Sequence, residues 1–216
     1  MRQVAVIDYG AGNIRSLERA LEAAAKLAGA SMRVRATADP DIIRTADRIA
    51  LPGQGAFGDC MNGLLAAPGV AEALSEAVLK RGAPFLGICV GMQLLAAKGL
   101  EHGEHAGLGW IGGLCRQINA AADPQARVPQ TGWNAAAPSR SHPVFDALAP
   151  EAFVYFNHSY VVADAPQETI AAETVHGERF ASGLARDNII GVQFHPEKSQ
   201  ARGLAFLTRF LDWKPA

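Results

Sequence analysis

Pro84-Phe85-Leu86-Gly87-Ile88-Cys89-Val90-Gly91-Met92-Gln93-Leu94-Leu95 is the stretch that decides the reading of this chain. The short apolar run after Pro84 has the length and residue types of a buried strand. Val90 to Ala97 then reads as a helix, closed by Lys98-Gly99. Between the two lies Gly87-Ile88-Cys89-Val90-Gly91, a nucleophile flanked at both sides by glycine. In a strand-to-helix turn, that spacing is a nucleophile elbow: the bend is so sharp that its neighbours must be small, and it lifts the thiol clear of the sheet. The N-terminus of the following helix favours the thiolate, and the Val90 N–H can donate to an oxyanion.

Working outward, strands and helices alternate through the first half. Gln3 to Asp8 reads as a strand broken by Gly10-Ala11-Gly12. Ile14, Leu17, Leu21, Ala24 and Ala28 recur at helical spacing up to Gly29. Met32–Ala36 and Arg48–Leu51 are further strands, the second stopped by Pro52-Gly53, and Gly69–Lys80 is a helix. This order predicts an α/β fold: an open, mostly parallel twisted sheet flanked by helices. In the second half the strand candidates crowd together, at Leu114–Ile118, Ala152–Asn157, Thr169–Thr174, Phe180–Ala185 and Ile189–Phe194. Crowding predicts an antiparallel extension of the sheet. A last helix spans about Gln200 to Trp213, and Asp123 to Pro129 reads as the most mobile loop.

Composition sets the outer bounds. A length of 216 residues fits one large domain, 1–216, and 49% hydrophobic against 19% charged residues excludes a disordered chain. A net charge of −1 leaves no footprint for nucleic acid or an anionic membrane. Asp8 arrives too early for a signal peptide. Three cysteines, Cys60, Cys89 and Cys115, form no C-x-x-C pair and leave an odd one over. Together these point to free thiols in a reducing cytoplasm.

A thiolate needs a proton carrier. Of the six histidines, His195 follows the apolar run Ile189–Phe194 and so stands at a strand's C-terminal end, where open α/β sheets place their sites. Glu197, two residues on, is placed to accept the other imidazole N–H and fix the tautomer. Cys89, His195 and Glu197 supply the part types of acyl transfer. Gly53-Gln54-Gly55, after the strand ending near Leu51, can turn a backbone N–H inward and complete an oxyanion hole. Elsewhere Gly10-Ala11-Gly12 has Arg15 where a dinucleotide fingerprint needs its third glycine, and His102-x-x-His105 lacks a third metal ligand. Cys60 and Cys115 lack elbow surroundings and read as structural thiols.

Gly87–Leu95 and Phe194-His195-Pro196-Glu197 resemble the two signature segments of the class I (triad) glutamine amidotransferases. Asp8-Tyr9-Gly10-Ala11-Gly12-Asn13, Gly55–Met61, a Gly132-Trp133-Asn134 turn, His158-Ser159-Tyr160 and His195–Ser199 narrow the resemblance to the glutaminase subunits of imidazole glycerol phosphate synthases. The resemblance implies hydrolysis of glutamine to glutamate and ammonia, with no cofactor and no metal. The ammonia would pass to a (β/α)₈-barrel cyclase subunit that makes imidazole glycerol phosphate and aminoimidazole carboxamide ribotide in histidine biosynthesis. It implies a Cys89–His195–Glu197 triad and an oxyanion hole at Val90 and the Gly53–Gln54 peptide. Gln93, Glu101, Ser159 and Tyr160 would grip the amino-acid end of glutamine, and Asn13, Gly132, Trp133 and Lys198 would face the cyclase.

Three positions depart from that family's pattern: Gln54 for valine, Thr131 for methionine, and Asn157 for an apolar residue. Two readings stand beside this one. A different triad amidotransferase or a γ-glutamyl hydrolase would share the elbow and the His-x-Glu pair. A degenerate, non-enzymatic module would keep the fold alone.

Overall fold

The computed structural model describes residues 2–121, 123 and 125–215. Its first half winds β1 (Arg2–Ile7), α1 (Ile14–Leu27), β2 (Met32–Thr37), α2 (Pro40–Thr45), β3 (Arg48–Gly53), α3 (Phe57–Ala66), α4 (Val70–Ser75), β4 (Phe85–Cys89) and α5 (Val90–Gln93). β5 (Lys98–Gly99), β6 (His105–Ala106), β7 (Leu114–Gln117), β8 (Gln130–Pro138), β9 (Ala152–His158) and β10 (Tyr160–Ala163) follow. β11 (Ile170–His176), β12 (Glu178–Arg186), β13 (Ile189–Val192) and α6 (Gln200–Asp212) complete the chain.

One nine-stranded sheet runs in the order β2-β1-β3-β4-β13-β12-β11-β8-β9, and a smaller one in the order β10-β7-β5-β6. The large sheet changes character at β13. From β2 to β13 every pairing is parallel; from β13 to β9 every pairing is antiparallel. Four-residue β13 therefore lies parallel to β4 on one side and antiparallel to β12 on the other. The parallel half needs burial on both faces, and β3 and β4 are buried at every residue. α1 and α6 pack together on one face, α1 turning Leu17, Leu21 and Ala24 inward at helical spacing. Right-handed crossovers put α2 and α4, which also touch each other, on the opposite face. Phe145, Phe206, Phe194 and Phe156 make a run of edge-to-face contacts with centroids 5.4–6.1 Å apart, tying α6 to the antiparallel half.

The predicted architecture is present, with local corrections. The helix expected over Val90–Ala97 stops at Gln93. The chain is drawn off into the small sheet, where Ala97 N–H donates to Gly113 C=O and Leu100 N–H to Cys115 C=O. Gly132-Trp133-Asn134, expected as a turn, lies inside strand β8 and pairs with Tyr155 and its neighbours on β9. α2, α3, β5, β6, β8 and β10 were not expected. In the Asp123–Pro129 segment Pro124 is outside the described residues, and Gln125 N–H donates to Asp123 Oδ1.

Candidate active site

β1, β3, β4 and β13 all end on the same rim, at the carboxyl ends of the parallel strands, where open α/β sheets bind ligands. Cys89 closes β4 at φ +55°, a conformation that costs an L-residue roughly 1–2 kcal/mol. The elbow is as tight as its glycines suggest. A Cβ on Gly91 would stand 1.9 Å from Leu51 C=O, and one on Gly53 2.7 Å from the Gly91 nitrogen. β3 and β4 thereby hold Gly53 level with Cys89, the expected oxyanion loop directly beside the thiol.

His195 lies three residues beyond β13. Its N–H donates to Tyr155 C=O at 2.8 Å, and its own carbonyl accepts from Ser199 Oγ at 2.6 Å. Its Nδ1 is 2.8 Å from Glu197 Oε1. That pairing leaves Nε2 as the ring nitrogen available to Cys89. Burial alone would lower the His195 pKa. Hydrogen bonds to Cys89 and Glu197, and the field of both, overcome it and raise the value from 6.5 to about 9. The ring is therefore set up to carry a proton beside the thiol.

A cavity of about 210 Å³ opens in front of the thiol. Gly53, Gln54, Cys89, Val90 and His195 line it together with Gln93, Glu101, Ser159, Tyr160 and Lys198. Glu197 is behind His195, lining a narrow crevice with Asn13, and its Oε2 is buried without a hydrogen-bond partner. Glu101 Oε2 accepts the Phe57 N–H at 2.8 Å, which anchors that carboxylate to the start of α3. Gln93 Nε2 donates to Tyr160 C=O at 3.0 Å and to Gln193 Oε1 at 3.2 Å. With both hydrogens engaged, Gln93 offers its Oε1 as an acceptor. His158, buried and held neutral with its pKa lowered to about 4, mainly by burial, contacts the same Tyr160 carbonyl through Nδ1 at 2.9 Å.

The residues expected to face a partner divide. Lys198 lies at the cavity mouth with Nζ 5.7 Å from the centre of the Tyr155 ring, and Trp133 packs edge-on against that ring at 6.2 Å. Trp133 is 46% exposed, a large aromatic turned to solvent. Gly132 adjoins it in a shallow groove, whereas Asn13, just before α1, lines the crevice with Gln54 and Glu197. Sequence reasoning missed Gln193, Ser199 and Tyr9. Tyr9 Oη donates to Pro52 C=O at 2.9 Å, and Cys60 Sγ donates to Gln54 C=O at 3.4 Å, so two buried side chains pin the loop on either side of Gly53. Cys60, read from sequence as a structural thiol, has that role at the loop, and its thiol is pushed up by burial, which keeps it a donor. Cys60, Cys89 and Cys115 are all free and buried. His105 packs its ring against Gly58, and no cluster of ligands able to hold a metal occurs among the described residues.

The family model for glutamine amidotransferase class-I matches residues 5–212. A relative from Zymomonas mobilis named imidazole glycerol phosphate synthase subunit HisH is 52% identical over 213 residues, covering 98% of this chain and 96% of its own. One of the same name from Caulobacter vibrioides is 48% identical over 215 residues, covering 100% of both. Among solved structures, a glutamine amidotransferase superposes with a TM-score of 0.71 at 16% identity over 97% of both chains. A glutamine amidotransferase from Thermotoga maritima gives 0.58 at 18% identity over 91% of this chain and 76% of its own. The chain belongs to the class-I glutamine amidotransferases and, within that class, to the family whose members are named imidazole glycerol phosphate synthase subunit HisH.

Proposed function

We propose that this chain is the glutaminase subunit of an imidazole glycerol phosphate synthase, built as a single amidotransferase domain. It hydrolyses glutamine to glutamate and ammonia and hands the ammonia to a cyclase subunit of (β/α)₈-barrel form. The observation that carries this reading is one cavity, sized for one amino acid, lined by the strained Cys89 and by His195, whose ring Glu197 holds from behind. Gln93 and Glu101, two acceptors suited to an α-ammonium group, line the same cavity.

In this reading His195 takes the Cys89 thiol proton as Sγ attacks the side-chain amide carbon of glutamine. The tetrahedral oxyanion is held by the N–H groups of Val90 and of the Gly53–Gln54 peptide. The protonated His195 gives its proton to the leaving nitrogen, and ammonia departs from a glutamyl-thioester. Water, deprotonated by His195, then attacks the thioester carbonyl, releasing glutamate and restoring the thiol. Glu197 keeps the imidazole in the tautomer both steps require. Gln93, Glu101, Ser159 and Tyr160 hold the amino-acid end. Trp133, Gly132 and Lys198 lie on one continuous face beside the cavity mouth and offer the cyclase a docking site, and Asn13 borders it from α1. Three buried free thiols fit a cytoplasmic protein.

The test is glutamate release by the purified chain, alone and with a cognate cyclase plus its ribotide ligand. Strong activation by both together is the expected result. Equal rates would retain the hydrolysis but overturn the partner assignment.

A further inference from the structure

Gln193 is fully buried, lines no part of the substrate cavity and has no role in the mechanism above. A carboxamide sealed in an apolar core must satisfy its polar atoms with protein partners. This one spans two of the residues the reaction needs. Its Oε1 accepts from Gln93 Nε2 at 3.2 Å, and its Nε2 lies 3.7 Å from Cys89 Sγ. The polarity of this chain of amides is forced. A backbone carbonyl only accepts, so Tyr160 C=O fixes the nitrogen of Gln93 toward itself. The second hydrogen of that nitrogen fixes Oε1 of Gln193, which leaves the Gln193 nitrogen facing sulfur. The Gln193 backbone is held too, its N–H donating to Ser182 C=O at 3.0 Å. The parallel register that pairs Val192 with Ile88 brings Gln193 alongside Cys89.

We propose that Gln193 is a positioning residue: its amide holds the Cys89 sulfur and links it to Gln93, so that the thiol and the grip on the substrate are set by one relay. A helix N-terminus of four residues supplies little of the field a long helix would, and an N–H donor to sulfur takes a share of that work. The inference rests on the nucleophile assignment of the proposed function, and it predicts different effects for two substitutions. Gln193→Glu keeps an oxygen for Gln93 but exchanges the donor to sulfur for an acceptor. Gln193→Met fills the same space and removes both bonds.

The experiment is the rate of Cys89 carboxymethylation by iodoacetate at neutral pH, read peptide by peptide on the cyclase-bound protein, together with kcat and KM for glutamine. Both variants are expected to label Cys89 about tenfold more slowly and to lose kcat in proportion, the loss of one hydrogen bond to a charged group. Only Gln193→Met is expected to raise KM, by several-fold, because only it releases Gln93. Wild-type labelling and kinetics in either folded variant would overturn the relay. If Cys89 in the unsubstituted protein labels no faster than Cys60 and Cys115, the nucleophile assignment falls and this inference with it.

Discussion

Thr131 Oγ1 donates to Asn157 Oδ1 at 3.1 Å, and the two residues are direct cross-strand partners on β8 and β9. Both are polar residues where the resemblance leads us to expect apolar ones, and the structure makes the two one interaction. The pair is close to the chemistry: the backbone carbonyl of Asn157 is 4.0 Å from Cys89 Sγ. A polar residue at either site alone would lack its partner.

The pair should therefore behave as a unit. In a double-mutant cycle of Thr131→Met and Asn157→Leu, measured by chemical denaturation, the coupling is expected at about 0.5 kcal/mol, the size of an exposed cross-strand pair. The two single substitutions should together cost more than the double one, by the amount of that coupling. Strict additivity would show that the contact contributes nothing.

Cys89 can be replaced in two ways that separate chemistry from strain. Cys89→Ala should lower glutamine-dependent turnover by more than about 10³-fold while ammonia-dependent turnover by the cyclase is retained. Cys89→Gly should be equally inactive but about 1 kcal/mol more stable than the alanine variant, because φ +55° suits glycine. Thermal unfolding of the two variants checks the second point, and ammonia assays the first.

His195 gives the site a pH signature. Its pKa, raised from 6.5 to about 9 in the folded protein, means that the native state holds this proton more tightly than the unfolded chain. The stability it contributes is full below about pH 6.5 and is lost as pH rises through about 9. Glutaminase activity should fall over the same upper range, as the proton for the leaving ammonia is lost. Glu197→Gln removes a charge that holds the proton and should move the upper limb of the profile to lower pH. A limb that stays in place would exclude His195 as its source.

Trp133 tests the docking face. Trp133→Ala should leave the thermal midpoint of the isolated chain within a few degrees, because the indole is 46% exposed. Its cost should be read instead in the cyclase concentration needed for half-maximal activation, raised by about tenfold or more if the ring anchors the interface. Unchanged activation would move the interface elsewhere.

The elbow, the strand carrying it and the His-x-Glu pair are legible in the sequence because each demands particular residue types at fixed spacing. Gly87 and Gly91 leave room for a backbone approach, and Glu197 has to reach Nδ1 from two residues on. β8 was not legible. Gly132 and Asn134 are turn-forming residues, and the strand forms because β9 and β11 both pair with it, a long-range effect that local preference does not report. α3 hides for a similar reason, since Gly58 and Gly63 weaken its helical pattern while close packing against His105 and Tyr9 requires them. The length of α5 was misjudged because Leu94 and Leu95 continue the apolar pattern while the small sheet takes the chain away. Gln193 gave a faint sign, one amide inside an apolar run, and its partners are 104 and 100 residues away in sequence.

The change of strand direction at β13 bears on how the protein would fail. The thiol and the oxyanion loop ride on the parallel ladder, while Asn157 and His158, which line the same cavity, ride on β9 of the antiparallel one, with four residues of β13 stitching the two together. A slip of a fraction of an ångström along that suture would part sulfur from imidazole while each ladder kept its own hydrogen bonds. In a denaturant series, glutamine turnover should accordingly fade before the far-ultraviolet dichroism changes, inactivation marking the loosening of a seam well ahead of the melting of the cloth.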